Sequence, residues 1–429
     1  MAKEKGQILE EIQPLLSRKN HFVRNNVVRS LFSCSSIFFV IIIAITPCSS
    51  KGNTLIGDPK PLRQQLQGIR DKHQLPALAV SVVIGNRIIV ASAVGQRKWG
   101  ENISVTRNDA FELGSITKLI TGTLIGVLSD QGKIGWRTTI GDVFPELFPG
   151  HETVYQNIAV YQLMTHTSGL SRHPQIKESS IDELAGSIIE KRLAYVSASL
   201  SEKPEARPGS KYIYSGGAII AASMAERRTG KSWEELVTEN VFKKLGMTTA
   251  GFGPMATPPD KLDAPWFHQF RDGKITPLAP QGWKDILYGN PAGRSVHCSV
   301  IDLGKFAAFH ICGLQRRTHS TNLLKAKTLG QLYKVINIIP KKTKGKLYTA
   351  GGWRVQPASW AKNNLVYWHA GQSIGRGYAI VNIVPKLNYA ICVMTNIGGD
   401  NAVKAAEEIR LILVKQLDNS EYKPNLLFQ

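Results

Sequence analysis

Ala77-Leu78-Ala79-Val80-Ser81-Val82-Val83-Ile84 and Arg87-Ile88-Ile89-Val90-Ala91-Ser92-Ala93-Val94 are two apolar runs rich in β-branched residues, joined by Gly85-Asn86. Two such runs around a two-residue Gly-Asn turn signal a β-hairpin. Near the opposite end of the chain, residues 378–384 and 389–395 form a second pair of apolar strands about Pro385-Lys386-Leu387-Asn388. Beyond them Val403, Ala406, Ile409, Leu413 and Leu417 recur at helical spacing. A surface helix is expected over 61–74, ahead of the first hairpin. The middle favours helix over 118–131, 161–164, 218–228 and 232–245, with Gly- or Pro-punctuated connections. Strands at both ends and helices between imply an α+β fold: one antiparallel sheet closed by the two termini, beside a helical lobe.

The composition suits a globular body, since 43% of the 429 residues are hydrophobic and 20% charged. No internal repeat, heptad run or long Gly/Ser tract separates compact halves. Residues 1–50 differ in kind. Lys3, Lys5, Arg18, Lys19, Arg24 and Arg29 precede an apolar run over 31–46 that ends in Pro47-Cys48-Ser49-Ser50, the layout of an export signal. The run is shorter than the roughly 20 residues a spanning helix needs, so cleavage or lipid anchoring is favoured over a permanent span. Ile45-Thr46-Pro47-Cys48 resembles a degenerate bacterial lipoprotein box, with Pro47 departing from the usual small residue. The expectation is an exported protein, periplasmic or extracytoplasmic, with lipidation at Cys48, membrane association through the N-terminus and a start codon downstream of Met1 all left open.

Beyond Cys48 only Cys298, Cys312 and Cys392 remain, without any Cys-x-x-Cys. They indicate neither a disulfide framework nor a zinc site and are expected as small buried apolar residues. The formal net charge is +21, of which the first fifty residues, with six basic and three acidic groups, carry little, leaving about +18 on the body. The basic residues are scattered, apart from a cluster at Lys341, Lys342, Lys344 and Lys346, and no aromatic-interleaved motif accompanies them. Anionic envelope surfaces are therefore favoured as partners over nucleic acid, with a merely solvated loop an equal reading of the cluster.

The candidate chemistry lies in Phe111-Glu112-Leu113-Gly114-Ser115-Ile116-Thr117-Lys118. A helix starting at Ser115 would bring Lys118 onto the same face. A serine alcohol is a poor nucleophile at neutral pH and needs a base within hydrogen-bond reach, a part that a desolvated lysine can take. The tetrad alone is weak evidence, because Ser359-Trp360-Ala361-Lys362 and Ser420-Glu421-Tyr422-Lys423 match it by chance. Only the first has a preceding glycine and an apolar helix around it.

Several segments then carry a resemblance. Leu113 to Lys118, Gln162-Leu163-Met164-Thr165-His166-Thr167-Ser168-Gly169-Leu170, Pro208-Gly209-Ser210 with Tyr212-Ile213-Tyr214-Ser215-Gly216, and His369-Ala370-Gly371 resemble, in order, the signature segments of class C β-lactamase-like and penicillin-binding-protein-like serine hydrolases. Asn290-Pro291-Ala292-Gly293 with Ser299 to Phe306 is similar to another family segment. The resemblance covers residues 55–415, leaving 1–50 as the export segment and 416–429 as a tail. It implies an antiparallel sheet flanked by helices beside an all-helical lobe, with the site between them. By the same resemblance Ser115 is acylated, and Tyr214 shuttles protons under the electrostatic influence of Lys118. Gly371 lets substrate approach the strand, and the N–H of Gln372 pairs with that of Ser115 as an oxyanion hole. His369 would stand on the sheet edge facing the substrate, contacting a carboxylate when protonated, with a satisfied core histidine as the bland alternative. His166 is expected as a structural loop anchor.

Two departures bear on substrate. Gly216 stands where the family's tyrosine motif has an asparagine, and Ala370 replaces a threonine hydroxyl. Both put efficient β-lactam hydrolysis in doubt and leave peptidase or esterase activity open. Competing signatures are weak or missing: there is no His-Glu-x-x-His, and Gly230-Lys231-Ser232 lies between helices and lacks the first glycine of a phosphate loop. The sequence thus points to a serine hydrolase acting through a Ser115 acyl-enzyme on a D-amino-acid peptide, a β-lactam or a small ester, with no metal or organic cofactor. The alternative is a surface-anchored binding protein of the same fold, catalytically weak or inactive, holding cell-wall material or another partner through its basic face.

Overall fold

The computed structural model describes residues 57–148, 154–172, 174, 184–253, 255, 262–279, 295–317, 322–338, 347–373 and 376–419. The chain divides into two units, Met1–Pro47 and Cys48–Gln429. The first lies wholly outside the described residues, as do Cys48, the lysines at 341–346, the 290–293 segment and the tetrad at 420–423.

In chain order the second unit runs through α1 (Lys60–Lys72), β1 (Ala77–Ile84), β2 (Arg87–Gly95), β3 (Ala110–Glu112) and α2 (Thr117–Asp130). The lobe helices follow: α3 (Val160–Met164), α4 (Ile188–Ser201), α5 (Gly217–Thr229) and α6 (Trp233–Val237). Then come β4 (Gly251–Phe252), β5 (Phe267–Arg271), β6 (Lys274–Leu278), β7 (Val296–Ser299), α7 (Val300–Leu314) and α8 (Ala326–Leu332). The chain closes with β8 (Val335–Ile338), β9 (Leu347–Thr349), β10 (Arg354–Ala358), β11 (Asn364–Ser373), β12 (Gly377–Val384), β13 (Tyr389–Thr395) and α9 (Asp400–Asn419).

The main sheet has the order β2-β1-β13-β12-β11-β10-β9-β8, antiparallel throughout. The first and last strands among the described residues meet in it: β1 pairs β13 with Val80 opposite Val393 and Val82 opposite Ile391. Strand β1 is buried along its length except at its end, because the sheet is covered on both sides. Leu78, Val80 and Val82 join Leu62, Leu66 and Ile69 of α1 and Ile409 and Leu413 of α9 in one core. The alternate residues meet α7, where a Cβ on Gly304 would lie 3.1 Å from Ser81 Oγ. Each fully buried aliphatic side chain contributes about 1.5–3 kcal/mol, against at most about 1 for an exposed ion pair, so these two apolar layers hold the body together. Helix α9 reaches Asn419 with Leu417 buried, four residues past the 415 boundary.

Helix α2 is buried from Thr117 to Leu128. A helix buried on every side is a central element, and this one stands between sheet and lobe. Its start differs from expectation: Gly114–Ile116 is a 3-10 turn and the α-helix begins only at Thr117. The helix expected over 232–245 is interrupted by a π-helical turn, Thr238–Phe242, and ends at Gly246 in the left-handed conformation. The lobe is pinned internally by Arg192 of α4, wholly buried, which ion-pairs with Glu226 of α5 and Glu234 of α6. Strands β8 to β10 and helices α4 and α7 were not legible as such; the strands are short, and Gly351-Gly352 and Pro357 interrupt their pattern. Cys298, Cys312 and Cys392 are free and buried, as their spacing suggested.

Candidate active site

Ser115 occupies the middle of the 3-10 turn between β3 and α2. The N–H of Leu113 donates to Val296 O at 2.8 Å, tying the turn to β7. Gly114 has φ +50°, a left-handed conformation that glycine adopts without strain. The turn then runs directly beneath β11. A Cβ on Gly371 would sit 2.0 Å from Leu113 O and 2.7 Å from Ser115 N, and one on Gly114 would sit 2.9 Å from Gly371 Cα and 3.3 Å from Gln372 N. Glycine at both positions therefore lets the main chains of Ser115 and Gln372 come together, leaving the Gln372 side chain exposed. Two backbone N–H groups brought to one place can hold a developing oxyanion.

One residue into α2, Lys118 is 6% exposed. Its Nζ donates to Ser115 Oγ at 3.4 Å and lies 4.8 Å from the centre of the Tyr214 ring. The loop between α4 and α5 supplies that tyrosine, whose hydroxyl lies 2.7 Å from Ser115 Oγ. Burial pushes the Tyr214 phenol up, but the Lys118 charge and hydrogen bond, the Ser115 hydrogen bond and the Arg354 charge outweigh it, and the phenol ends below its ordinary value. A phenol so lowered can accept the serine proton. Ser115, Lys118 and Tyr214, expected from sequence, are thus brought into one cluster.

For His369 the structure corrects one expectation. Its place is at an edge, since β10 pairs β11 from Asn364 to Trp368 and then ends, and the stretch from His369 onward presents an edge that no described strand pairs. But His369 is not a cation for a carboxylate. It is 1% exposed, and burial, then the charges of Arg354 and Lys118, hold its pKa well below the ordinary value. Its Nδ1 donates to Ala370 O at 2.9 Å, leaving Nε2 as a buried acceptor with no partner among the described residues.

The cation in this region is Arg354, which the sequence reading passed over. It begins β10, opposite Trp368 and Tyr348. Its guanidinium lies 5.0 Å from the Trp368 ring centre and 5.6 Å from that of Tyr348, and its Nε is buried without a partner. Its charge reaches Tyr214, His166 and His369. Tyr348 in turn stacks on Tyr212 at 5.2 Å, their hydroxyls 2.8 Å apart. No motif flags Arg354, because only strand register sets it beside β11. His166 packs on Tyr214, with ring centres 4.4 Å apart. Gly216 precedes α5 and lines a small cavity with Leu170, Tyr195 and Glu202. Among the described residues no group of His, Cys, Asp or Glu is disposed to hold a metal ion.

The β-lactamase family model matches residues 62–414. "Penicillin-binding protein 4" of Amycolatopsis lactamdurans is 27% identical over 187 residues, 43% of this chain and 47% of that protein. The "D-alanyl-D-alanine-carboxypeptidase/endopeptidase AmpH" of Escherichia coli strain K12 is 28% identical over 181 residues, 41% of this chain and 45% of that protein. The match thus spans less than half the length of either relative. Among solved structures, the octameric penicillin-binding protein homologue from Pyrococcus abyssi superposes with a TM-score of 0.66 at 20% identity, over 82% of this chain and 76% of that one. A D-stereospecific amidohydrolase from Streptomyces sp. gives a TM-score of 0.60 at 18% identity, over 82% of this chain and 98% of that one. Matched by the family model over most of its length and carrying the fold of these neighbours, the chain belongs to the β-lactamase family of serine hydrolases.

Proposed function

We propose that this protein cleaves an amide next to a D-amino acid that ends in a carboxylate, through an acyl-enzyme on Ser115. The observation that carries the reading is the 2.7 Å contact between Ser115 Oγ and a phenol lowered by Lys118. Tyr214, as phenolate, takes the Ser115 proton while Oγ bonds to the carbonyl carbon. The carbonyl oxygen becomes an oxyanion held by the N–H groups of Ser115 and Gln372. As the C–N bond breaks, Tyr214 returns its proton to the leaving amine. Water then enters by the same route and releases the acid.

Arg354 supports the choice of substrate. It is a cation at the open end of β11 with no carboxylate within ion-pair distance among the described residues, and a planar guanidinium pairs a carboxylate through two parallel hydrogen bonds. The names of the relatives, a D-alanyl-D-alanine-carboxypeptidase/endopeptidase and a D-stereospecific amidohydrolase, agree with this. Export, read from the cationic and apolar N-terminus, would bring the site to cell-wall peptides.

The test is labelling of the full-length chain with a fluorescent penicillin and with a fluorophosphonate, each beside Ser115→Ala, followed by mass spectrometry of the modified peptide. Penicillin labelling lost in the variant supports the carboxylate-recognising site, since the probe carries that group. Fluorophosphonate labelling alone points to an esterase. An unmodified Ser115 with both probes overturns the reading in favour of a binding protein.

A further inference from the structure

We infer that His166 is a positioning residue for Tyr214, a clamp that holds the phenol against Ser115 and Lys118 rather than a mere anchor of its own loop. The inference rests on the acyl-transfer reading of the site but on different contacts. His166 grips both neighbours of the tyrosine: its carbonyl accepts the Ile213 N–H at 2.8 Å and its Nδ1 accepts the Ser215 N–H at 3.3 Å. Between these two bonds its ring lies on the Tyr214 ring, 4.4 Å between centres and tilted by 34°. Tyr212 and Tyr348 also border the imidazole, roughly perpendicular to it at 5.6 and 6.1 Å between ring centres. A single residue therefore holds the backbone on both sides of Tyr214 and packs on its ring.

The backbone is bent to make this possible. His166 is 1% exposed and has φ +58°, a conformation costing a non-glycine residue of order 1 kcal/mol or more unless its surroundings impose it. The surroundings here do so: Thr167 N donates to Gln162 O at 2.9 Å, tying the turn to α3, while Gly209 N donates to Thr167 O at 2.7 Å and Glu205 N to Gly169 O at 3.0 Å, stitching the loop after α3 to the loop that bears Tyr214. Because Nδ1 accepts an amide proton, the ring's own proton sits on Nε2. Burial, and then Lys118 and Arg354, keep the imidazole uncharged, so it shapes the site without competing for the serine proton.

Anchor and clamp predict different things for His166→Asn. Asparagine tolerates the left-handed conformation and offers an acceptor for the Ser215 N–H, so it preserves a loop anchor; it has no ring to lie on the phenol. The groups whose charge or hydrogen bonds reach the phenol are Ser115 before α2, Lys118 of α2, Tyr212 of its own loop, Tyr348 of β9 and Arg354 of β10, with neutral His369 of β11 nearby. A loosened phenol drifts away from Lys118 and Ser115, the groups that lower it, so its titration moves up. Misplacement of a proton carrier by about 1 Å costs on the order of 10²-fold in rate.

The experiment measures the pH dependence of Ser115 labelling by a fluorophosphonate in the full-length wild type, His166→Asn and His166→Phe, together with thermal unfolding and an ultraviolet titration of Tyr214 obtained by difference from Tyr214→Phe. The expected result is His166→Asn unfolding as the wild type does, labelled on the order of 10- to 100-fold more slowly, with its rising limb and phenol titration both at higher pH, and His166→Phe recovering much of the rate. Wild-type labelling and titration in a folded His166→Asn overturns the clamp and leaves a loop anchor. If His166→Asn fails to fold, His166→Phe decides: a phenol titration unchanged from wild type supports the ring contact, and one moved up overturns it. If Ser115 of the wild type is not labelled at all, the acyl-transfer reading falls, and the phenol titration, which needs no reactivity, still judges the clamp.

Discussion

Two Ser-x-x-Lys tetrads lie among the described residues, and they meet opposite fates. Both open on a 3-10 turn, Gly114–Ile116 in one case and Ser359–Ala361 in the other. After the first, the chain continues into the 14 residues of α2, so Lys118 rises over Ser115 in an almost dry setting. After the second, Lys362 takes φ +53° and the chain leaves for β11. Its Nζ pairs with Asp418 at 2.8 Å, and both Ser359 and Lys362 are exposed. Spacing alone therefore does not make a nucleophile. Helical continuation directs the lysine to the serine, and exclusion of water makes its charge felt by the groups around it.

The sharpest way to break that contrast is Ser115→Ala, which should abolish probe labelling and lower turnover of a D-amino-acid amide by on the order of 10⁴-fold or more. Ser359→Ala should leave both at wild-type values; equal losses would mean that burial is not what separates the tetrads. Next in size is Gly371→Ala. The new Cβ would meet Leu113 O at 2.0 Å, forcing β11 off Ser115, so kcat should fall by roughly 10²- to 10³-fold, the loss of one oxyanion donor. A wild-type kcat in this variant would remove Gln372 N–H from the mechanism.

Arg354→Met should raise KM by about 10- to 100-fold for substrates ending in a carboxylate, the loss of about 1.5–3 kcal/mol for a charge-assisted hydrogen bond. A neutral ester should be spared, and equal losses on both substrates would assign Arg354 to folding instead. The pH dependence tests Lys118 directly. Labelling should rise with pH as Tyr214 loses its proton, with the limb below the ordinary phenol range. In Lys118→Met the limb should move up, because the cation that favours phenolate is gone. The smallest effect is expected from Lys362→Ala, which removes one exposed ion pair. Thermal unfolding should report a change of no more than about 0.5 kcal/mol, with labelling unaltered.

Much of the fold was legible because it is local. The Gly85-Asn86 turn joins two strands whose ends match the reading closely, and the 3.6-residue recurrence from Ala406 to Leu417 is the buried stripe of α9. Ser115, Lys118 and Tyr214 stood out through their short segments. The sequence does not mark the N-terminal boundary of α2 because Gly114 and the bond from Leu113 to Val296 set it, and a strand so distant along the chain leaves no sign on the tetrad. Helix α4 was overlooked although Ser187 and Glu190 form a capping box at its start.

The sequence by itself determined which groups could carry the chemistry and that the chain's two ends would share one sheet, since residue type, turn residues and periodicity are written along the chain. Tertiary structure alone decided the ionic character of the site. Whether a histidine is charged depends on the dielectric and the cations around it, and register and burial exist only after folding. They made His369 neutral, set Arg354 at the open end of β11 and laid His166 on the phenol of Tyr214.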